Sequence, residues 1–455
     1  MIRCISPIDG SVFAERETLS YEAAQAATER ARAAQSDWAA RPLDDRIALV
    51  RAAVAIIGDM NDRIVPDLAR QMGRPVRYDG EFGGFEERAS YMADIAAEAL
   101  ADITIEDSDA FRRVIKRVLH GVVLVVAPWN YPYMTAINTV APALIAGNTV
   151  MLKHASQTPL VGEHLAEAFH AAGIPEDVFQ NVFLDHETTA GLIAAKSFDF
   201  VNFTGSVAGG QAIERAAAGT FTGLGLELGG KDPGYVCDDA DVDAAAETLI
   251  DGAMFNSGQC CCGIERIYVA ERHFDAFVEK AIKIVNSYTL GDPLNAETTI
   301  GPMAHKRFAD EVRAQIAEAI AAGATAHIET FAQDDGGAYL TPQILTNVSH
   351  DMRVMRDESF GPVVGIMPVK DDAQAIELMN DSQFGLTASV WTQDVARAEN
   401  IADQIQTGTV FMNRADYLDP ALCWTGCKDT GRGGGLSVIG YHNLTRPKSY
   451  HLKKG

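Results

Sequence analysis

Three consecutive cysteines, Cys260, Cys261 and Cys262, stand in the stretch FNSGQCCCGIER, residues 255–266. Neighbouring cysteines close a disulfide only with strain, so these read as thiols. A thiol at a helix end, beside flexible glycines, can be approached by a ligand and can have its thiolate stabilised. The alternative is that buried cysteines serve as small hydrophobes. Glu227, in LELGGK, is an acid at the end of an apolar run, followed by two glycines. Such a carboxyl is placed for a raised pKa and base chemistry, although a glutamate at a strand end is otherwise a surface residue. Asn130, in PWNYP, can donate N–H to a developing oxyanion or cap a proline-bounded turn. A soft nucleophile, a base and an N–H donor together suit chemistry at a carbonyl.

The elements that must position these groups are regular. A helix over Asp239–Phe255 leads into the cysteines and a strand follows at Glu265–Ala270. Gly121–Ala127 is a buried strand, with Asn130 just past its end. Thr149–Lys153, Val178–Phe183, Asp199–Phe203 and Leu224–Leu228 continue the pattern, with helices between them. Five short apolar strands alternating with helices predict a parallel, doubly wound α/β sheet, whose ligands bind outside the carboxyl ends of the strands. A second α/β run follows, with strands at Ile264–Val269, Val363–Met367, Thr387–Trp391 and Thr409–Met412, and the division falls near residue 229. Residues 1–104 read as mostly helical, with helices after Ser20 and Pro42. Two basic extended pieces, residues 111–118 and Ser449–Lys454, complete the chain.

Other motifs sit at the same strand ends. Lys153 closes the second strand and Ser156 follows it. FTGSVAGG, Phe203–Gly210, follows the fourth strand and opens a helix, where backbone N–H groups can meet a pyrophosphate. DESFGPV, Asp357–Val363, carries Glu358 and Phe360 in a turn before a strand.

Composition narrows the class. The chain has 455 residues, 47% apolar and 22% charged, an ordinary globular mix with room for large cores. A net charge of −24 argues against nucleic acid and anionic membranes as partners. No apolar run approaches the ~20 residues that span a bilayer, and no export signal is visible. Seven cysteines without such a signal fit a reducing cytoplasm. Cys423 and Cys427 lack the partners of a zinc site, so no metal is expected.

Gly258-Gln259-x-Cys261, with Arg266 five residues on, closely resembles the active-site motif of the aldehyde dehydrogenase superfamily. PWNYP, FTGS, LELGGK, DESFGPV, the pair GDP (291–293) and GPM (301–303), NDSQFGL (380–386) and GTVFMN (408–413) follow the family in order over nearly the whole chain. The resemblance implies that Cys261 is the nucleophile, between wall residues Cys260 and Cys262, with Asn130 and the Cys261 N–H as oxyanion donors. It implies that Glu227 activates the water that hydrolyses a thioester, which argues against a CoA-acylating relative. Cofactor contacts would come from Trp129, Lys153, Ser156, Gly205, Ser206, Gly210, Glu358 and Phe360. The family often has a glutamate where Ser156 stands. Its absence removes a charge that would repel a 2′-phosphate, so NADP is favoured somewhat over NAD.

By the same resemblance, residues 1–104 and 121–229 form the NAD(P)-binding domain and 230–435 the catalytic domain. Residues 105–120 and 440–455 form a β arm that builds a homodimer or homotetramer. Three departures stand out: Met254, His154 in place of the usual proline, and Ala421–Gly434. In the last, Trp424 and Thr425 replace the usual Phe and Gly, and Gly433 takes a Glu position. Tyr131, Asn138, Cys260, Cys262 and Trp424 are the expected substrate pocket, suited to a semialdehyde or to a general aliphatic or aromatic aldehyde. A semialdehyde calls for an arginine clamp that the motifs do not identify. The alternative is a non-catalytic relative acting as scaffold or thiol sensor, which loss of Cys261, Glu227 or Asn130 would have favoured.

Overall fold

Val122–Val126 and Thr149–Lys153 bury every side chain, and such runs need a sheet covered on both faces. In the computed structural model, which describes residues 1–455, they form the middle of a six-stranded sheet. Its order is Gly431–Arg432, Gly223–Glu227, Phe200–Thr204, Val122–Val126, Thr149–Lys153, Phe179–Asn181. The five strands expected from the sequence are parallel, and the strand order reverses between Val122–Val126 and Phe200–Thr204. Register pairs Val126 with Lys153 and with Phe203, and Thr204 with Glu227. Lys153, Thr204 and Glu227 therefore leave the sheet at one edge, beside the loop that carries Trp129 and Asn130.

Helices cover the faces of this sheet. Tyr21–Ala40 starts at Ser20, whose hydroxyl accepts from the Ala23 N–H at 3.2 Å, and Leu43–Asp59 starts just after Pro42. Helix Pro132–Ile145 is buried along most of its length. Phe82–Ala99 packs on it, and Trp38, Phe85, Met92, Tyr133, Leu144 and Phe169 belong to one core of 44 buried residues.

The second sheet has seven strands, in the order Thr325–Ala326, Gln343–Thr346, Val363–Val369, Ile264–Ala270, Asp232–Val236, Thr387–Trp391, Thr409–Met412. All pairs are parallel except that of Thr325–Ala326. No helix in either unit is long and apolar enough to cross a membrane.

Four features depart from the sequence reading. Residues 1–104 are mostly helical as expected, but ahead of the helices Ile2–Ile5 and Val12–Arg16 form an antiparallel hairpin. Asp232–Val236, DPGYV, is not among the strands expected from the sequence, yet it pairs on both sides inside the second sheet. Gly234 packs closely there, since a Cβ would lie 2.6 Å from Leu249 Cδ2. The span 230–435 does not stay with the second sheet, since Gly431–Arg432 pair antiparallel with Leu226–Glu227. The β arm comprises Ile103–Asp107, Phe111–Leu119 and Thr445–Lys453, so it begins before residue 105, and residues 440–443 belong to helix Ser437–Asn443.

Candidate active site

Helix Val242–Met254 ends at a backbone that no helix would adopt. Asn256, Ser257 and Gly258 all have left-handed φ, at 54°, 55° and 69°. For non-glycine residues this costs ~1–3 kcal/mol each and persists only where the surroundings fix it. They do. Asn256 Nδ2 donates to the carbonyls of Gln259 (3.2 Å) and Asn130 (3.3 Å). Ser257 Oγ donates to Gly301 O at 2.8 Å, and Gln259 Oε1 accepts from the Ala304 N–H at 2.8 Å. A Cβ on Gly258 would lie 2.2 Å from the Gly361 carbonyl, and one on Gly230 would lie 2.1 Å from Cys261 O. The turn aims Cys261 away from the helix and into a cleft between the two sheets.

That cleft holds a cavity of about 340 Å³ lined by Cys260, Cys261, Cys262, Glu227, Tyr131, Asn138 and Trp424, with Thr204 and Asp416. The residues expected to serve as nucleophile, base and substrate pocket thus converge. Asn130 is buried beneath, outside that lining. Arg74 and Asn256 both donate to its carbonyl oxygen, which leaves its side-chain amide outside this network.

Electrostatics separate the ionisable groups. The neighbouring Cys260 and Cys262 hold Cys261 down, at about 6, against the cost of burial. Cys260 itself is pushed up to about 12 by donating to Cys261 and by burial, and Cys262 is raised for the same reasons. Cys262 Sγ donates to Asp416 Oδ1 at 2.9 Å, and burial raises the Asp416 carboxyl well above its ordinary range. Cys260, Cys262 and Asp416 bring three potential ligand atoms within 4.8 Å of one another, in a chain whose sequence predicts no metal. The protonated forms that burial favours are not those that bind metal. Glu227 is pushed up to about 7 by burial, opposed by the Thr204 hydroxyl at 3.4 Å and the field of Arg88.

The residues expected to meet a cofactor gather in two groups. Trp129 stacks on Phe308 with ring centroids 5.3 Å apart and meets Phe360 edge-on at 5.5 Å. Phe360, at φ 49°, is held by Glu265, which accepts from the Ser359 and Phe360 N–H groups at 2.8 Å each. Buried Lys231 donates to Glu265 and to Ser359 Oγ. Glu358 accepts from the Gly230 N–H at 2.9 Å, and burial pushes it up to about 8.

The second group lies at the carboxyl edge of the first sheet. Lys153 is buried at its strand end and its charge is disfavoured by desolvation, with only the field of Asp185 in its support. Ser156 is exposed. Ser206 caps helix Val207–Ala217, accepting from the Gly209 N–H at 3.2 Å. Gly205 and Gly210 have packing reasons of their own: a Cβ would meet the Phe203 ring at 2.8 Å and Leu228 at 2.5 Å. An under-supported lysine, an exposed hydroxyl, a free helix start and a buried carboxyl suit the ribose hydroxyls and phosphates of a dinucleotide. His154 is buried and pushed down to about 4, so it is neutral. Its Nε2 donates to Pro132 O at 3.2 Å and its Nδ1 accepts from the Ala155 N–H at 2.9 Å, which ties the Lys153 turn to the Asn130 loop.

Arg74, Glu81, Arg88, Asn256 and Asp416 all bear on the site, and sequence reasoning assigned none of them. One signal was present for Arg88: it falls on the helical stripe of Phe85, Ala89, Met92 and Ala96, where a charge needs a reason.

Comparison with known proteins agrees with this geometry. The family model described as "Aldehyde dehydrogenase family" matches residues 1–450. A Deinococcus radiodurans protein named succinate-semialdehyde dehydrogenase (NADP+) is 31% identical, over 98% of this chain and 93% of its own length. A vanillin dehydrogenase of Corynebacterium glutamicum is 34% identical, over 94% and 89%. The crystal structure of succinic semialdehyde dehydrogenase from Streptococcus pyogenes, in complex with NADP+, superposes with a TM-score of 0.95 at 29% identity and covers all of both chains. The chain belongs to the aldehyde dehydrogenase family. Its activity is accordingly the NAD(P)-dependent oxidation of an aldehyde.

Substituting Gly230→Ala drives a methyl into the Cys261 carbonyl. Because a displacement of ~1 Å at a reacting group can cost ~100-fold, kcat/KM is expected to fall by about that factor. Absorbance at 340 nm, read beside a melting curve showing a folded protein, checks this.

Proposed function

We propose that the protein oxidises its aldehyde through a thioester on Cys261 that Glu227 hydrolyses, with NADP preferred to NAD. The observation that carries the reading is the shared cavity in which Cys261 is shifted down to about 6 and Glu227 up to about 7. At neutral pH the thiol is a thiolate and the carboxyl is poised to take a proton. These are the states that nucleophilic attack and water activation require.

Cys261 Sγ adds to the carbonyl carbon and the negative charge moves to oxygen, where the Asn130 amide and the Cys261 N–H are the donors. When bound, the nicotinamide supplies the acceptor for the aldehyde hydride. Glu227 then removes a proton from water as it attacks the thioester carbonyl. The C–S bond breaks, thiolate returns to Cys261, and the carboxylate leaves. Glu358 and Phe360 are assigned to the nicotinamide side, and Lys153, Ser156, Gly205, Ser206 and Gly210 to the adenosine and pyrophosphate side.

The NADP preference rests on Ser156 and on the buried, under-supported charge of Lys153, and several relatives are named for NADP. The seven free cysteines support a reducing, cytoplasmic setting. Nine residues of Thr445–Lys453 form an outer strand whose second edge is unpaired, a row of donors and acceptors that suits pairing with another subunit. We infer a homodimer or homotetramer built through this arm. Light scattering at micromolar concentration is expected to give two or four times the 48.9 kDa chain mass, and a monomer would overturn the inference.

Cys261→Ala is expected to abolish reduced-cofactor formation, and equal activity would move the nucleophile elsewhere. Turnover should rise with pH through about 7, as Glu227 loses its proton, and fall further below about 6, where Cys261 is protonated. Glu227→Gln should lower steady turnover by ~100-fold or more and leave an initial burst, because acylation proceeds while hydrolysis stalls. Ser156→Glu should lower the NADP:NAD ratio of kcat/KM by about tenfold, since a carboxylate there repels a 2′-phosphate.

A further inference from the structure

The cavity contains a cation that nothing in the mechanism uses. Arg88, on helix Phe82–Ala99, lines the same cavity as Cys261 and Glu227 and is only 7% exposed. Its Nη1 donates to Met134 O at 3.1 Å and reaches Asn138 Oδ1 at 3.5 Å, and its Nε has no partner. It joins no ion pair. Two more polar atoms in the lining are also unpartnered, Asn138 Nδ2 and Tyr131 Oη.

Buried guanidinium groups normally sit against carboxylates, because an unpaired charge in a poorly solvated site is expensive. The contrast within this protein is direct: buried Arg74 is bound to Glu81 at 2.6 Å. Glu81 is also engaged by the Tyr133 and Met134 N–H groups, so it reaches Arg88 by its field alone and forms no ion pair with it. Of the other acids in the lining, Asp251, Asp416 and Glu227 are pushed by burial towards their neutral forms. Glu87 accepts from the Tyr417 hydroxyl at 2.6 Å on the exposed side.

We infer that Arg88 recognises a carboxylate on the substrate, with Asn138 and Tyr131 as companion donors, so that the preferred aldehyde carries an anionic group at the end remote from the carbonyl. The inference rests on the aldehyde-oxidising reading above and names the substrate class of that same cavity. Tyr131, Leu386, Leu418 and Trp424 give the linker between the two groups an apolar wall. The unpartnered donors explain why a neutral aldehyde is a poor fit: it leaves them buried and unsatisfied.

The test compares matched pairs with the intact enzyme and NADP: succinic semialdehyde against butanal, and 4-carboxybenzaldehyde against benzaldehyde. The parent should favour the carboxylate member of each pair. Arg88→Met, which keeps the length of the side chain and removes the charge, should collapse that preference by about 100-fold, mainly through KM, the size expected for truncating one side of a buried charge pair. Arg88→Lys should retain part of it. Glutarate should inhibit butanal oxidation competitively in the parent and not in Arg88→Met. Equal losses on both members of each pair, or no carboxylate preference in the parent, would overturn the inference. Oxidation of butanal by the parent, lost in Cys261→Ala, keeps that failure distinct from a failure of the aldehyde-oxidising reading.

Discussion

The Arg74 guanidinium is the interaction on which the rest of the site depends. It is almost fully buried, and it joins a nearby acid to two segments that are remote in sequence. It pairs with Glu81, donates to the Asn256 side chain at 3.3 Å, donates to the Asn130 carbonyl, and lies over the Tyr131 ring at 4.6 Å. Asn256 in turn binds the Asn130 carbonyl, while Glu81 caps the helix that begins at Pro132. The strained turn before Cys261, the Asn130 loop and a helix of the cavity wall are thereby fixed to one planar donor. A lysine could not replace it, because a compact ammonium cannot address several acceptors in one plane.

The second constraint is dryness. Burial raises Glu227, Glu358, Asp416, Cys260 and Cys262, and the same burial would raise Cys261 were its neighbouring thiols not there to oppose it. The cysteine triplet therefore has a division of labour. The outer two are buried against Asp416 and shifted up, and the middle one is shifted down. Arg88 sits in the same poorly solvated space, and its field favours the ionised form of Glu227 as well as any anion that enters.

Much of this was legible in the chain. The five parallel strands and the helices after Ser20 and Pro42 follow from local patterns of apolar runs and helix starts, and the resemblance to the family singled out Cys261, Glu227 and Asn130. The N-terminal hairpin and the strand Asp232–Val236 were not legible. These short segments, one of them bearing Pro and Gly, become strands only because neighbours supply the other half of each ladder. The return of Gly431–Arg432 to the first sheet is of the same kind.

Residues that act through partners were equally hidden. Arg74, Glu81, Asn256 and Asp416 sit in unremarkable sequence, and each matters only for what it meets across the cleft. Arg88 left a trace, as a charge on an apolar helical stripe, but not its lack of a counter-ion. The sequence by itself determined the class of chemistry, because a nucleophile, a base and a donor are properties of residue types at local positions in regular elements. The tertiary structure alone decided how the three thiols gather against Asp416, how far burial raises Glu227, and which buried cation makes no ion pair. Those depend on desolvation and on contacts between segments up to hundreds of residues apart, and no local pattern encodes them.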